Sequence, residues 1–283
     1  MASSFGYPVA ALPQADAAVV RLVQISDCHL FGDAGQRLLG LDTRASLERV
    51  VQQIQCREMH RGLDAILATG DISQDGTPAS YQTFLRLLDP LPVPCAWIQG
   101  NHDLVAPMQQ AAHTLPEPTL LDHTVVEIGA SWRIVLLNSA IEHQIGGALV
   151  AEQLDFLRQV LSATDRYMLI ALHHPPCLVG SQWLDQQMIS NFPAFWSLLQ
   201  GQPKVCGIIC GHVHHEFHAM IHGVPVWSVP STCVQFLPGS RGFALDTLGP
   251  GYRWLELYPE GRIKTAVERV LPLPGLHLSS AGY

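Results

Sequence analysis

The chain has 283 residues, 48% of them apolar and only 14% charged, with 24 acidic against 16 basic side chains and a net charge of −8. That length suits one large domain with a full core, and the composition is that of a folded chain. An acidic balance with no basic run excludes broad nucleic-acid binding, and no apolar run approaches the roughly 18–20 residues that span a bilayer.

Residues 1–20 are small, apolar and Pro-containing, and are expected to form a flexible N-terminal arm. No Lys or Arg precedes Arg21, so no secretory signal is expected. Arg21–Ile25 reads as the first strand. Asp42–His60 reads as a helix with Thr43 as its N-cap. Asp64–Thr69 is a second strand, Thr77–Leu88 a helix with Pro78 at its first position, and Val93–Ile98 a third strand. Val125–Ile128 and Arg133–Asn138 are two more strands around a turn at Gly129-Ala130. Ala151–Leu161 has helical periodicity, Tyr167–Leu172 is a buried strand, Phe192–Leu199 a short helix and Val205–Ile209 a strand. Strand-like segments follow at Phe217–Ile221, Pro225–Val229, Tyr252–Tyr258 and Ile263–Val267. Residues 21–270 are expected to form the domain and 271–283 a flexible tail. Strands alternating with helices and then a run of strands imply an α/β fold whose sheet continues into antiparallel strands. The seven cysteines lack zinc-type pairing and read as free thiols of a reducing cytoplasm. The low charge leaves a surface rich in Gln, Ser and apolar atoms, part of which a homodimer would cover.

Five strand ends are each followed by a polar cluster: Asp27-Cys28-His29, Gly70-Asp71, Gly100-Asn101-His102-Asp103, His173-His174 and Gly211-His212-Val213-His214. In α/β sheets the ligand crevice lies at the carboxyl ends of the strands, so these clusters can converge. Asp27 and His29 share the i, i+2 spacing with His212 and His214, which on extended backbone puts both side chains on one side. With Asp71, Asn101 and His173 the set is four His, two Asp and one Asn. One ion takes about four to six ligands, so two ions sharing a carboxylate account for the set better. The absence of a Cys ligand favours ions such as Mn, Fe, Zn or Co over a thiolate site, with two ions of Fe, Mn or Zn expected.

The ordered blocks Asp-x-His, Gly-Asp, Gly-Asn-His-Asp, His and Gly-His-x-His resemble the calcineurin-like metallophosphoesterases. Gly40-Leu41-Asp42-Thr43, Ser181-Gln182-Trp183-Leu184-Asp185-Gln186 and Pro230-Ser231-Thr232-Cys233-Val234-Gln235-Phe236 are most similar to the bacterial class III 3′,5′-cyclic-AMP phosphodiesterases. The resemblance implies a four-layer αββα sandwich with a dinuclear site at the strand ends. It implies one ion on Asp27, His29, Asp71 and His214, and a second on Asp71, Asn101, His173 and His212, with Asp71 bridging. The two ions would be divalent or mixed-valence. His29, Asn101, His102 and His214 would meet the substrate, with His102 as the catalytic group beside the phosphate and Asp75 or Asp103 orienting it. The implied reaction is attack by a metal-bridging hydroxide on 3′,5′-cyclic AMP, giving 5′-AMP in the cytoplasm. The alternative substrates are 2′,3′-cyclic nucleotides, glycerophosphodiesters and nucleotide pyrophosphates. A non-catalytic scaffold would have lost ligands, and none of the seven positions is vacant.

Other residues carry plainer expectations. His174 should turn away from His173 on extended backbone. His215 and His218 should sit at the surface or rim, and His60, His113, His123, His143, His222 and His277 in solvent. Gln235 and Phe236 can meet the adenine or ribose, or Phe236 can belong to the core. Trp183 can be a lid or a packing anchor.

Overall fold

The computed structural model describes residues 9–12, 19–114, 120–121, 124–163 and 165–282. In chain order the first elements are β1 (Val9–Leu12), β2 (Val20–Ile25), α1 (Thr43–Arg57), β3 (Ala65–Ala68), α2 (Pro78–Leu88), β4 (Cys95–Trp97), α3 (Val105–Ala112) and β5 (Leu120–Leu121). Next come β6 (Val125–Ile128), β7 (Trp132–Leu136), α4 (Ala151–Ser162), β8 (Tyr167–Leu172), α5 (Phe192–Leu199) and β9 (Val205–Cys210). The chain closes with β10 (His218–Ile221), β11 (Val224–Ser228), β12 (Gln235–Phe236), β13 (Leu245–Asp246), β14 (Gly251–Leu257) and β15 (Ile263–Arg269).

Two sheets carry the molecule. One has six strands in the order β15-β14-β2-β3-β4-β5, the other seven in the order β1-β6-β7-β8-β9-β11-β10. Strands β2, β3 and β4 run parallel, as do β7, β8, β9 and β11. The late strands β10, β14 and β15 join antiparallel, as the sequence pattern predicts.

Period-two alternation builds the layers. Leu22, Ala65, Leu67, Leu169 and Ala171 face a core shared between the sheets. Their neighbours Val23, Ile25 and Ile66 pack outward under α1, α2 and α3. Met168, Ile170 and Leu172 pack under α4 and α5. The result is an αββα sandwich whose parallel strands end at a common polar edge.

Three expectations change. Val9–Leu12, placed in the loose arm, is a strand paired in parallel with β6. The cap of α1 is Asp42, not Thr43: its carboxylate accepts the Ala45 N–H at 3.0 Å, while Thr43 is already the first helical residue. The tail after β15 docks: Leu273 and Leu276 pack with Leu38, Leu41 and Phe236, and the His277 N–H donates to Leu39 O at 2.8 Å. Pro78 opens α2 behind an N-capping Thr77, as expected.

Candidate metal centre

Each expected ligand follows a strand end, but five of the seven do so off the extended backbone. Asp27 (φ 56°), His29 (φ 46°), Asp71 (φ 49°), His212 (φ 68°) and His214 (φ 51°) all adopt the left-handed conformation. The i, i+2 pairs therefore converge through tight turns and not through a pleat. Such a backbone costs a non-glycine residue about 1–3 kcal/mol and persists only when its surroundings hold it. Here they do. Asp27 N donates to Gly70 O and His29 N to Asp71 O, both at 2.9 Å, and Ser231 Oγ donates to Asp27 O at 2.7 Å. His212 N donates to the Asp27 carboxylate at 3.1 Å. Two glycines make room. At Gly70 (φ 96°) a Cβ would sit 2.5 Å from His173 Nδ1, and at Gly100 it would collide with Asp71 Oδ1.

The donor atoms gather into two adjoining sets. In the first, His214 Nε2 lies 3.4 Å from Asp27 Oδ1 and 3.1 Å from His29 Nε2, which lies 3.7 Å from Asp71 Oδ2. In the second, His173 Nε2 lies 3.2 Å from Asp71 Oδ2, 3.3 Å from Asn101 Oδ1 and 3.3 Å from His212 Nδ1. An ion with donors about 2.0–2.2 Å away spaces adjacent donors about 3.0–3.5 Å apart, so both sets fit cations. Asp71 Oδ2 belongs to both.

Hydrogen bonds at the far side of each imidazole set which nitrogen faces inward. His29 Nδ1 donates to Gln74 Oε1 (2.6 Å), His214 Nδ1 to Val234 O (2.9 Å), His173 Nδ1 to Thr69 O (2.8 Å) and His212 Nε2 to Gln187 Oε1 (3.0 Å). The inner nitrogens of His29 and His214 then point lone pairs at each other. Only a proton or a cation fits between them, and burial holds His29 down to about 3. Burial, reinforced by His174 and His173, pushes His212 well below the usual imidazole range. Burial opposes charge on Asp71 as well, but His173 and His102 hold it well below the usual carboxylate range. His173 is the exception: burial lowers it, but the charge and hydrogen bond of Asp71, the Asp27 charge and the Thr69 carbonyl together outweigh burial, and the group rises to about 9. Without an ion, this pair keeps a proton where a cation fits.

A family model described as calcineurin-like phosphoesterase matches residues 20–216. The chain belongs to the calcineurin-like phosphoesterase family. It is 46% identical over 259 residues to the 3′,5′-cyclic adenosine monophosphate phosphodiesterase CpdA of Pseudomonas aeruginosa, covering 91% of this chain and 92% of that one. The CpdA of Vibrio vulnificus is 44% identical over 252 residues, 89% of this chain and 90% of the relative. Among solved structures, a dimetal phosphatase from Danio rerio shares the fold with a TM-score of 0.58 at 17% identity, covering 89% of this chain and 99% of that one. A purple acid phosphatase from yellow lupin does so with a TM-score of 0.63 at 14% identity, covering 90% of this chain and 52% of that one. The calcineurin-like phosphoesterases are metal-dependent, in keeping with the His and Asp clusters that could hold ions here.

A cleft of about 270 Å³ opens over this calcineurin-like cluster, with Asp71, Asn101, His102, His212 and His214 in its lining. A ring nitrogen of His102 lies within 4.8 Å of ligand atoms of His29 and Asp71, and its backbone N–H donates to Asp71 Oδ1 at 2.9 Å. The carboxylates expected to orient its ring are used otherwise. Asp103 accepts the Ile72, Ser73 and Gly100 N–H groups at 2.9–3.2 Å, and Asp75 accepts from Gly32 and Thr77. Asp103 thus fixes the backbone just after Asp71 and just before Asn101.

His174 does not turn away from His173. It is buried against His173 and His212, and both its nitrogens are engaged, Nδ1 with Ser139 Oγ (2.9 Å) and Nε2 with Ile145 O (3.0 Å). His215, expected near the surface, is buried, while His218 is exposed and stacks on Trp227. His60, His113, His143, His222 and His277 are exposed, and His123 lies outside the described residues. Gln235 is structural: its amide donates to Ser231 O and Cys233 O and accepts from Arg269. Phe236 stacks flat on His214, with centroids 4.0 Å apart, and braces that imidazole. Trp183 is anchored through Nε1 to Ser240 Oγ at 3.0 Å and also lines the cleft.

Sequence reasoning missed Gln74 and Gln187, because neither lies in one of the five polar clusters that follow the strand ends. Gln74→Leu removes the acceptor behind His29 and is expected to weaken metal binding about 10- to 100-fold. Equilibrium metal titration checks this.

Proposed function

We propose that this chain is a metal-dependent cytoplasmic phosphodiesterase that hydrolyses 3′,5′-cyclic AMP to 5′-AMP. One observation carries the metal-dependent chemistry: four buried imidazoles, each tied on one side to a carbonyl oxygen, aim their other nitrogens into two donor sets that share Asp71 Oδ2. The substrate rests on the names of relatives aligned over about nine-tenths of the chain. Asp27, His29, Asp71 and His214 would hold one ion, and Asp71, Asn101, His173 and His212 the other. The imidazole, carboxylate and amide donors suit Fe, Mn or Zn. When bound, two such ions supply charge to grip the phosphoryl oxygens and lower the pKa of water.

The protein's own part is orientation and proton delivery. Water adds at phosphorus, the P–O3′ bond breaks, and O3′ takes a proton. His102 lines the cleft next to the donor atoms of His29 and Asp71, within reach of a bound phosphate. Its ring donates a hydrogen bond to the phosphate and passes a proton to O3′. His102→Ala is expected to keep both ions and to lose rate by about 10²- to 10⁴-fold. Metal analysis and turnover on the same preparation check this, and an empty site would move His102 among the ligands.

Among the described residues no helix is long and apolar enough to cross a membrane. The test of the whole reading is turnover of 3′,5′-cyclic AMP beside 2′,3′-cyclic AMP and bis(p-nitrophenyl) phosphate, with and without chelator. Chelator-sensitive preference for the first supports it. Turnover of only the other two retains the metal chemistry and discards the substrate.

A further inference from the structure

The cleft has two unlike halves. The inner half holds Asp71, Asn101, His102, His212 and His214, which suit cations and a phosphate. The outer half has no Asp, Glu, Lys or Arg among the described residues that line it. It is bounded by the aromatic pair Trp183 and Phe243, with centroids 5.5 Å apart, and by the loop residues His143, Gln144 and Ile145. A neutral, partly apolar chamber beside a phosphate site suits an uncharged flat ring.

Two features narrow the chemistry. Ile145 lines the cleft yet is 62% exposed, an apolar surface that water covers until a ligand does. Of the hydrogen-bonding groups in the outer half, His143 pairs with Glu142 at 3.2 Å and the Gln187 oxygen accepts from His212. The exposed Gln144 carries the remaining side-chain amide among the described residues of that lining. The loop that carries it is pinned. His174 grips Ser139 Oγ and Ile145 O, Gln144 N donates to Ile141 O at 3.0 Å, and Ser190 N donates to Gly147 O at 2.8 Å. A loop held this way presents its amide with little ordering cost.

Resting on the cyclic-nucleotide reading above, we propose that Gln144 reads the purine edge of the substrate and sets the preference for adenine over guanine. The base lies against Ile145, Trp183 and Phe243. A carboxamide offers one donor and one acceptor side by side. Adenine presents N7 as acceptor and the N6 amine as donor, a complementary pair. Guanine presents N7 and O6, both acceptors, so one of the two contacts becomes oxygen against oxygen. A bidentate match of this kind discriminates by roughly 10- to 100-fold.

The test is kcat/KM for 3′,5′-cyclic AMP, 3′,5′-cyclic GMP and bis(p-nitrophenyl) phosphate in the metal-loaded full chain and in Gln144→Ala and Gln144→Arg. Metal content and circular dichroism are read on each preparation. Gln144→Ala is expected to lower kcat/KM for cyclic AMP about tenfold, mostly through KM. The change on bis(p-nitrophenyl) phosphate, which has no purine, should be much smaller. Gln144→Arg, with two parallel donors, should move the ratio toward cyclic GMP. A wild type that cleaves cyclic AMP, with an unshifted cyclic AMP to cyclic GMP ratio in both variants, overturns this inference alone. An equal loss on all three substrates overturns it too, by making Gln144 a general structural residue. A wild type that cleaves only bis(p-nitrophenyl) phosphate overturns the phosphodiesterase reading and this inference with it.

Discussion

Asp71→Ala is expected to strip both ions from the protein and to lower turnover by several kcal/mol of transition-state stabilisation, about 10³-fold or more. The geometry singles this residue out. Its Oδ2 lies 3.7 Å from His29 Nε2 in one donor set and 3.2 Å from His173 Nε2 in the other. Its Oδ1 accepts the His102 N–H at 2.9 Å, so the same carboxylate seats the proposed proton donor. Removing any other ligand leaves one set intact, whereas removing Asp71 opens both. Asp71→Asn keeps the shape and an oxygen acceptor but discards the charge, and should fall between wild type and alanine. Metal content by elemental analysis and turnover on the same samples decide the matter. Two ions per chain in Asp71→Ala, or near-wild-type turnover, would show that the carboxylate is not shared.

What the sequence made legible follows from the range of each interaction. Local signals read well: the buried strand Tyr167–Leu172 announces itself by composition, and Thr77-Pro78 marks the start of α2 at the observed residue. Polar clusters after apolar strands placed seven residues near one point, because α/β topology brings strand ends together whatever their separation in sequence. Long-range pairing did not read well. Val9–Leu12 has the length of a turn fragment, and only its partner Val125–Ile128, more than a hundred residues away, makes it a strand. His174 looked like an idle neighbour of His173, because its partners Ser139 and Ile145 lie on a distant loop. The left-handed turns at the candidate ligands were also hidden, since Asp and His, though enriched at positive φ among non-glycine residues, adopt it far less often than glycine does. Asp-x-His suggested an extended pair only by analogy with a strand. The docked tail reads as loose because Leu273 and Leu276 find their apolar partners around Leu38 and Phe236.

The left-handed turns bear on stability. Five candidate ligand residues held at positive φ, and inner imidazole nitrogens 3.1 Å apart, concentrate strain in a few loops. The core between the sheets, with Leu22, Leu67, Leu169 and Ile209, contributes nothing to that strain. Bound ions would offset it by giving each lone pair and carboxylate a partner. At free concentrations 100 times Kd, each ion adds about 2.7 kcal/mol to the folded state. For a chain of this size one kcal/mol moves Tm by about 2–4 °C, so removing two ions should lower Tm by roughly 10 °C or more. The loss should be local before it is global. The His29 and Leu30 amides, which donate to Asp71 O and Ile72 O, should exchange faster in chelator, while the amides of β3 and β8 should not. Binding should also release protons, because the proton that the Asp71 charge retains on His173, at about 9, must leave for that nitrogen to hold an ion. Thermal melts and amide exchange with chelator, then with Mn or Zn restored, test the first two, and the protons released on adding Mn or Zn to stripped protein test the third. A fully stripped protein that melts at the holoprotein temperature would show that these turns are held by the surrounding hydrogen bonds alone.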